Sequence, residues 1–137
     1  MDFSKLDGLI PAVIQDADSH EVLMVGFMNE EAWRLTQRTG FATFFSRTRN
    51  ALWMKGETSG NRLAVQSILV DCDEDTVLLK VKRLGDGNVC HTGQRTCFYR
   101  SVGRGDLSAA SAATPVEPSL KPEAPSQRAS APDPRGT

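Results

Sequence analysis

No stretch of the 137-residue sequence sustains the ~20 apolar residues that a membrane-spanning helix needs. The opening "MDFSKLDGLI" has neither the basic start nor the apolar centre of a secretion signal. A soluble, cytoplasmic protein with no membrane partner is therefore expected. Cysteine is scarce, and its three residues cannot all pair within one chain. A reducing compartment disfavours disulfides in any case, so metal ligation or plain burial is left for the thiols. Histidine is scarcer still, with two residues, and the first 103 positions hold a single proline, Pro11. No internal repeat is visible.

Composition changes abruptly after Gly103. From Arg104 onward, "RGDLSAASAATPVEPSLKPEAPSQRASAPDPRGT" holds six of the seven prolines and no aromatic residue. Such a stretch offers too little apolar surface to offset the entropy of ordering, so residues 104–137 are expected to form a disordered Ala/Pro/Ser-rich tail. Residues 1–103 remain as one domain, long enough to bury about 60–70 % of its unfolded surface. This part carries 12 Lys and Arg against 13 Asp and Glu, and four of the acids crowd into residues 71–75. With that turn neutralised by cations, the surface left over is mildly basic, which suits a phosphorylated small molecule better than long nucleic acid.

"LIPAVIQD" and "EVLMVGFM" are short β-rich runs around the turn-like "ADSH" and read as a hairpin. "NEEAWRLTQRTG" reads as a helix. Asn29 can cap it, Glu30 and Glu31 occupy its first turn, Arg34 and Arg38 lie toward its end, and Gly40 follows. "FATFFSR" and "LAVQSILV" are further strands. The 14-residue stretch "TRNALWMKGETSGN" that lies between them reads as a long functional loop. "TVLLKVKRL" is the strand after the acidic turn, "GDGNVCHTGQRT" the next loop, and "CFYR" a last short strand. The expected class is α+β, a mainly antiparallel sheet with one or two helices.

The crowded "DCDED" has a bland reading, a solvated acidic hairpin tip. Its sharper reading is a cation site. In an extended segment Asp71, Asp73 and Asp75 share one face, and Cys72 and Glu74 point to the other. Three aspartates make the hard oxygen site that Mg²⁺ prefers, and an EF-hand is excluded because Thr76 and Lys82 stand where Gly and Glu are required. Cys90 and Cys97 occur in "CHTGQRTC" with His91 between them. Together with Cys72 they are three soft donors suited to Zn²⁺, leaving one position open for water, although each taken singly reads as a small buried hydrophobe. His91 could bind the metal or act as a base. His20 sits in the hairpin turn and is assigned no role.

"KGETSGN" combines Lys55, Thr58 and Ser59 with two glycines and could cradle phosphate, although it is not the P-loop pattern. Arg47, Arg49 and Trp53 lie just upstream. An arginine beside an aromatic can hold phosphate and stack a base, and Trp53 is equally suited to the core.

"LWMKGETSGN", "DCDED" and "CHTGQRTCFYR", in this order and together with "VLMVGFMNEEA" and "TGFATFFSR", resemble the phosphoribosyl-AMP cyclohydrolase family of histidine biosynthesis. The likeness covers about residues 9 to 100. It implies hydrolytic opening of the adenine ring of 1-(5-phosphoribosyl)-AMP at the N1–C6 bond, by an intertwined homodimer that needs Zn²⁺ and Mg²⁺. Carried over by position, Cys72, Cys90 and Cys97 would bind zinc, with ligands shared between subunits, and Asp71, Asp73 and Asp75 would bind magnesium. The expected mechanism is a zinc-activated water with His91 as its base and as proton donor to N1. Arg47, Trp53, Lys55, Thr58 and Ser59 are the expected substrate contacts.

The approach to the second cysteine, "GDGNVC", departs from the shorter proline-containing approach common in the family. The 34 residues of the tail are also too few for the second domain that removes pyrophosphate in many relatives, so another chain is expected to supply that step. Two readings from other classes compete. One is a zinc-stabilised nucleotide-binding module with four protein ligands, and the other is a magnesium-dependent phosphohydrolase that uses the aspartates alone.

Overall fold

Strict alternation of apolar side chains marks the two central strands. In β1 (Ile10–Asp16) every second residue, Ile10, Ala12, Ile14 and Asp16, is buried, and in β6 (Val77–Arg83) the same holds for Val77, Leu79 and Val81. A period of two places each set on one face of a sheet. Full burial of each large aliphatic contributes about 1.5–3 kcal/mol. The computed structural model that describes residues 1–103 flanks this pair with β2 (Val22–Met28) and β5 (Leu63–Val70), in the order β2-β1-β6-β5. The tail expected from Arg104 onward lies outside the described residues.

The β1–β2 and β5–β6 ladders are antiparallel, whereas β1 and β6 run parallel, with Ala12 opposite Val77 and Asp16 opposite Val81. The sheet is thus mainly antiparallel, as expected, with one parallel pair at its centre. One helix is present among the described residues, α1 (Glu30–Thr39). Asn29 caps it by accepting the Ala32 N–H at 2.8 Å, and Gly40 ends it in the left-handed region at φ 80°, donating its N–H to Thr36 O at 3.0 Å. Buried Thr36 ties the helix to the next strand: its hydroxyl accepts from Thr43 N at 3.0 Å and donates to Thr43 O at 3.2 Å.

Two expectations need correction. The connection after "FATFFSR" is not a loop throughout, because β3 (Thr43–Ser46) turns through residues 47–50 into β4 (Ala51–Met54), and the two pair as a hairpin. Asn50 takes φ 52° at that turn, a conformation that asparagine tolerates better than most residues. The loop proper is residues 55–62. Conversely, "CFYR" forms no strand. Cys97 donates its N–H to Leu23 O at 2.8 Å, a single bond at the start of β2 rather than a ladder.

The hairpin β3–β4 packs on the sheet through Phe44, which is fully buried. Its ring lies over Gly26 of β2 so closely that a Cβ there would meet Phe44 Cδ1 at 2.5 Å. Trp53, opposite Phe44 in the hairpin, stacks on it at 5.0 Å between ring centroids. No helix among the described residues is long and apolar enough to cross a membrane.

Candidate functional site

Beyond β6 the chain turns back through residues 84–97, the stretch that contains "CHTGQRTC", and several side chains fix its path. Arg83 donates Nε to Asp16 Oδ2 at 2.8 Å and Nη1 to Gly87 O at 2.9 Å, joining the end of β1 to this loop. Arg95 grips Glu21 with two bonds of 2.7 and 2.9 Å, and the Thr96 hydroxyl donates to Val22 O at 2.8 Å. The polar residues between the two cysteines therefore fasten the loop to the start of β2, a role the sequence reading did not assign them.

Inside the loop, Val89 and Cys90 donate their N–H groups to Gln94 O at 3.1 and 3.0 Å, and Gly93 returns one to Cys90 O at 2.9 Å. This tight turn brings Cys90 and Cys97 together. The Thr92 hydroxyl lies 3.1 Å from Cys90 Sγ. Hydrogen bonds from Thr92, side chain first and then backbone, hold the Cys90 thiol below its usual range. Partial desolvation, followed by the neighbouring Cys90, pushes Cys97 up although its residue is exposed overall. Two soft donors side by side, one of them disposed to ionise, are what a thiophilic cation requires.

A pocket of about 360 Å³ opens beside Cys90. Lys55, Ser59 and Asn61 of the loop after β4 line it together with Asp86, Asn88, Cys90 and His91 of the loop after β6. Of the expected substrate contacts, Lys55 and Ser59 thus line the same cleft as the expected base, His91. Thr58 is exposed in the same loop but does not line the cleft. Arg47 lies over the Phe27 ring, 4.3 Å from its centroid, and Trp53 packs against the core with Lys55 Nζ 5.9 Å from its ring. Asn61, Asp86 and Asn88 were not anticipated. The amide-rich composition of "SGN" and "GDGN" beside the two motifs was the signal available for them.

Cys72 does not join the other two thiols within the chain. It precedes β6 and the pair follows it, and the seven residues of that strand put about 20 Å between its ends. The pairings Leu63–Arg83 and Val70–Val77 fix the same separation along the hairpin. Cys72 is exposed, as are its neighbours Leu69 and Val70, and at the far end Cys97, Phe98 and Tyr99 are exposed too.

The acidic turn gathers its carboxylates, but not by strand alternation. Residues 71–76 form the β5–β6 turn, with Glu74 in the left-handed region at φ 64°. Asp71 Oδ1 accepts the N–H groups of Asp75 and Thr76 at 3.1 and 3.2 Å. One oxygen each of Asp71, Asp73 and Asp75 lies within 4.8 Å of the other two. Lys5, from the segment ahead of β1, reaches in with Nζ at 3.0 Å from Asp73 Oδ2 and 3.2 Å from Asp75 Oδ2. Its ammonium is the main reason that Asp73 is lowered to about 2, whereas burial, followed by the Asp75 carboxylate, raises Asp71. Three oxygen donors this close suit a hard divalent cation.

Comparison with known proteins agrees with this picture. The profile of the phosphoribosyl-AMP cyclohydrolase family matches residues 24–99. A phosphoribosyl-AMP cyclohydrolase of Geotalea uraniireducens is 61% identical over 99 residues, 72% of this chain and 78% of the relative. Those of Solibacter usitatus and Desulfatibacillum aliphaticivorans are each 56% identical, over 110 and 102 residues, covering 80% and 74% of this chain and 86% and 81% of theirs. The class these comparisons define is a hydrolase, an enzyme acting on C–N bonds. The chain is a member of the phosphoribosyl-AMP cyclohydrolase family.

Proposed function

We propose that the chain hydrolyses the N1–C6 bond of the adenine ring in 1-(5-phosphoribosyl)-AMP, the ring-opening step of histidine biosynthesis, as a cytoplasmic homodimer. The observation that carries this reading is a cleft lined by Lys55 and Ser59 together with Cys90 and His91. The Lys55 ammonium and the Ser59 hydroxyl suit a substrate phosphate, which fixes the purine toward the opposite wall. There His91 takes a proton from the water that attacks C6 and returns one to N1 as the C6–N1 bond breaks, so the imidazole ends as it began. N1 carries a ribosyl group and the ring is cationic, which leaves C6 electrophilic before any protein group acts.

Cys90, Cys97 and Cys72 would hold zinc, which when bound supplies a Lewis acid that makes water a nucleophile near neutral pH. Because Cys72 and the pair stand at opposite ends of β6, we assign Cys72 to the site of a second subunit. Exposed apolar side chains next to both sets of thiols, Leu69 and Val70 at one and Phe98 and Tyr99 at the other, are the surface such a dimer would cover. Asp71, Asp73 and Asp75 would hold magnesium.

Mixing the purified protein with phosphoribosyl-AMP and following absorbance tests the reading, since opening a purine alters its spectrum. Cys90→Ser should lose turnover and zinc content together. Full turnover in a zinc-free preparation would refute the thiol assignment, and release of phosphate or pyrophosphate instead would point to a phosphohydrolase.

A further inference from the structure

Two loops of unrelated sequence position form the cleft, residues 55–61 after β4 and residues 84–93 after β6, and something must set their spacing. Asn61 spans the gap with both ends of its carboxamide. Oδ1 accepts the Asp86 N–H at 3.0 Å, and Nδ2 donates to Asn88 O at 3.3 Å. Its main-chain N–H donates to Ser59 Oγ at 3.2 Å, so the backbone that carries the bridging side chain is tied to a residue of the Lys55 loop. The fit is tight. A Cβ on Gly85 would stand 2.1 Å from Asn61 Oδ1, and one on Gly56 would stand 2.2 Å from the Asn61 carbonyl carbon. Both glycines also take positive φ, at 68° and 79°.

Only an amide supplies an acceptor and a donor at this separation from one short side chain. Aspartate would keep the bond from Asp86 N–H but present a second acceptor to the Asn88 carbonyl, and alanine would lose both bonds. From the far side the same segment is held by Arg83 Nη1 on Gly87 O, and Arg83 is fixed by Asp16. The segment 86–88 is thus clamped between Asn61 and Arg83, immediately ahead of Cys90 and His91. Asn61 is the jaw that faces the cleft.

We infer that Asn61 is a positioning residue for the reaction, setting the distance between the Lys55–Ser59 wall and the Cys90–His91 wall through its two bonds to Asp86 and Asn88. The inference rests on the functional reading above. It assigns Asn61 no contact with substrate, and its effect falls on the rate of the bound complex, since displacement of a reacting group by about 1 Å costs up to about a hundredfold.

The test is steady-state turnover of phosphoribosyl-AMP by the zinc-loaded Asn61→Asp and Asn61→Ala enzymes, with melting temperature and Asp86 amide exchange measured alongside. Asn61→Asp should lower kcat by about tenfold and Asn61→Ala by about a hundredfold, with KM changed less than about threefold. The Asp86 amide should exchange faster in the alanine variant, which lacks its acceptor, than in the aspartate variant, which keeps it. Wild-type kcat in a folded Asn61→Asp enzyme overturns the inference alone, and so does a loss confined to KM. Should Asn61→Ala fail to fold, the near-isosteric aspartate variant decides by the same criteria. Absence of turnover in the wild-type enzyme would sink the functional reading and this inference together.

Discussion

Lys5 Nζ stands 3.0 Å from Asp73 Oδ2 and 3.2 Å from Asp75 Oδ2, so the segment ahead of β1 places a cation on the acidic β5–β6 turn. Asp2 adds a bond from its N–H to Glu74 O at 2.7 Å. Neither residue lies within the 24–99 span that the family profile matches. A divalent ion entering among the three aspartates must compete with this ammonium. Lys5→Ala is expected to tighten Mg²⁺ binding by at least about fivefold in calorimetric titration, the scale of one or two partly exposed ion pairs. Lys5→Arg should bind Mg²⁺ no more tightly than the native chain. Unaltered affinity in Lys5→Ala would show that the ammonium yields without cost.

The proposed sharing of ligands between subunits makes a sharp prediction for mixed dimers. Cys72→Ser and Cys90→Ser should each be inactive alone. Unfolded together and refolded, they should regain about a quarter of native turnover, because half the dimers are mixed and each mixed dimer owns one intact site. If all three thiols served one chain, refolding the mixture would restore nothing.

For His91→Ala, zinc content should persist while turnover falls by at least about a hundredfold, the usual scale of positioned acid–base help. The comparison of metal content with rate separates loss of a proton carrier from loss of a ligand. An unchanged rate would remove His91 from the chemistry.

Asp16 does not line the cleft yet steadies the loop that leads to it. The Ser19 N–H, then the Arg83 guanidinium and the Asp18 N–H, outweigh burial and lower its carboxyl from 3.8 to about 2. A carboxyl depressed in the folded state stabilises at pH above its unfolded value, and that stabilisation fades as pH falls through the folded one. The expected loss, on the order of 2 kcal/mol, is therefore concentrated between pH 3.8 and about 2. In Asp16→Asn the native protein should be weaker at neutral pH but lose less on acidification, as denaturant melts at pH 7 and pH 2.5 would reveal.

Gly26→Ala tests the packing of the β3–β4 hairpin. The new methyl would meet Phe44 Cδ1 at 2.5 Å and Cε1 at 2.8 Å, and overpacking of this kind costs about 1–3 kcal/mol. For a domain of this size each kcal/mol corresponds to roughly 4–8 °C in Tm. A variant that melts with the native protein would mean that the ring shifts freely.

Local signals were the legible ones. The β1–β2 hairpin, the Asn29 cap and the Gly40 stop follow from neighbours in sequence, and each stands where it was read. The strand β4 was hidden because "ALWM" lies within a Gly- and Asn-rich connection and owes its form to pairing with Thr43–Ser46. "CFYR" has the composition of a strand, but its one ladder-like bond among the described residues is Cys97 N–H to Leu23 O. The carboxylates of Asp71, Asp73 and Asp75 were read as clustered, and they are. Their route there, through a left-handed Glu74, depends on turn geometry that spacing does not encode. Neither the parallel β1–β6 pairing nor the reach of Lys5 across to Asp73 leaves a trace in nearby sequence.

The placement of Cys72 at one end of β6 and Cys90 at the other has a consequence for the enzyme at low abundance. On the reading given above, a solitary chain owns an incomplete donor set, so simple dilution toward the subunit dissociation constant should erode specific activity and release zinc in step. Catalytic output would then rise more steeply than the amount of protein made, and a newly synthesised chain would stay silent until it met another.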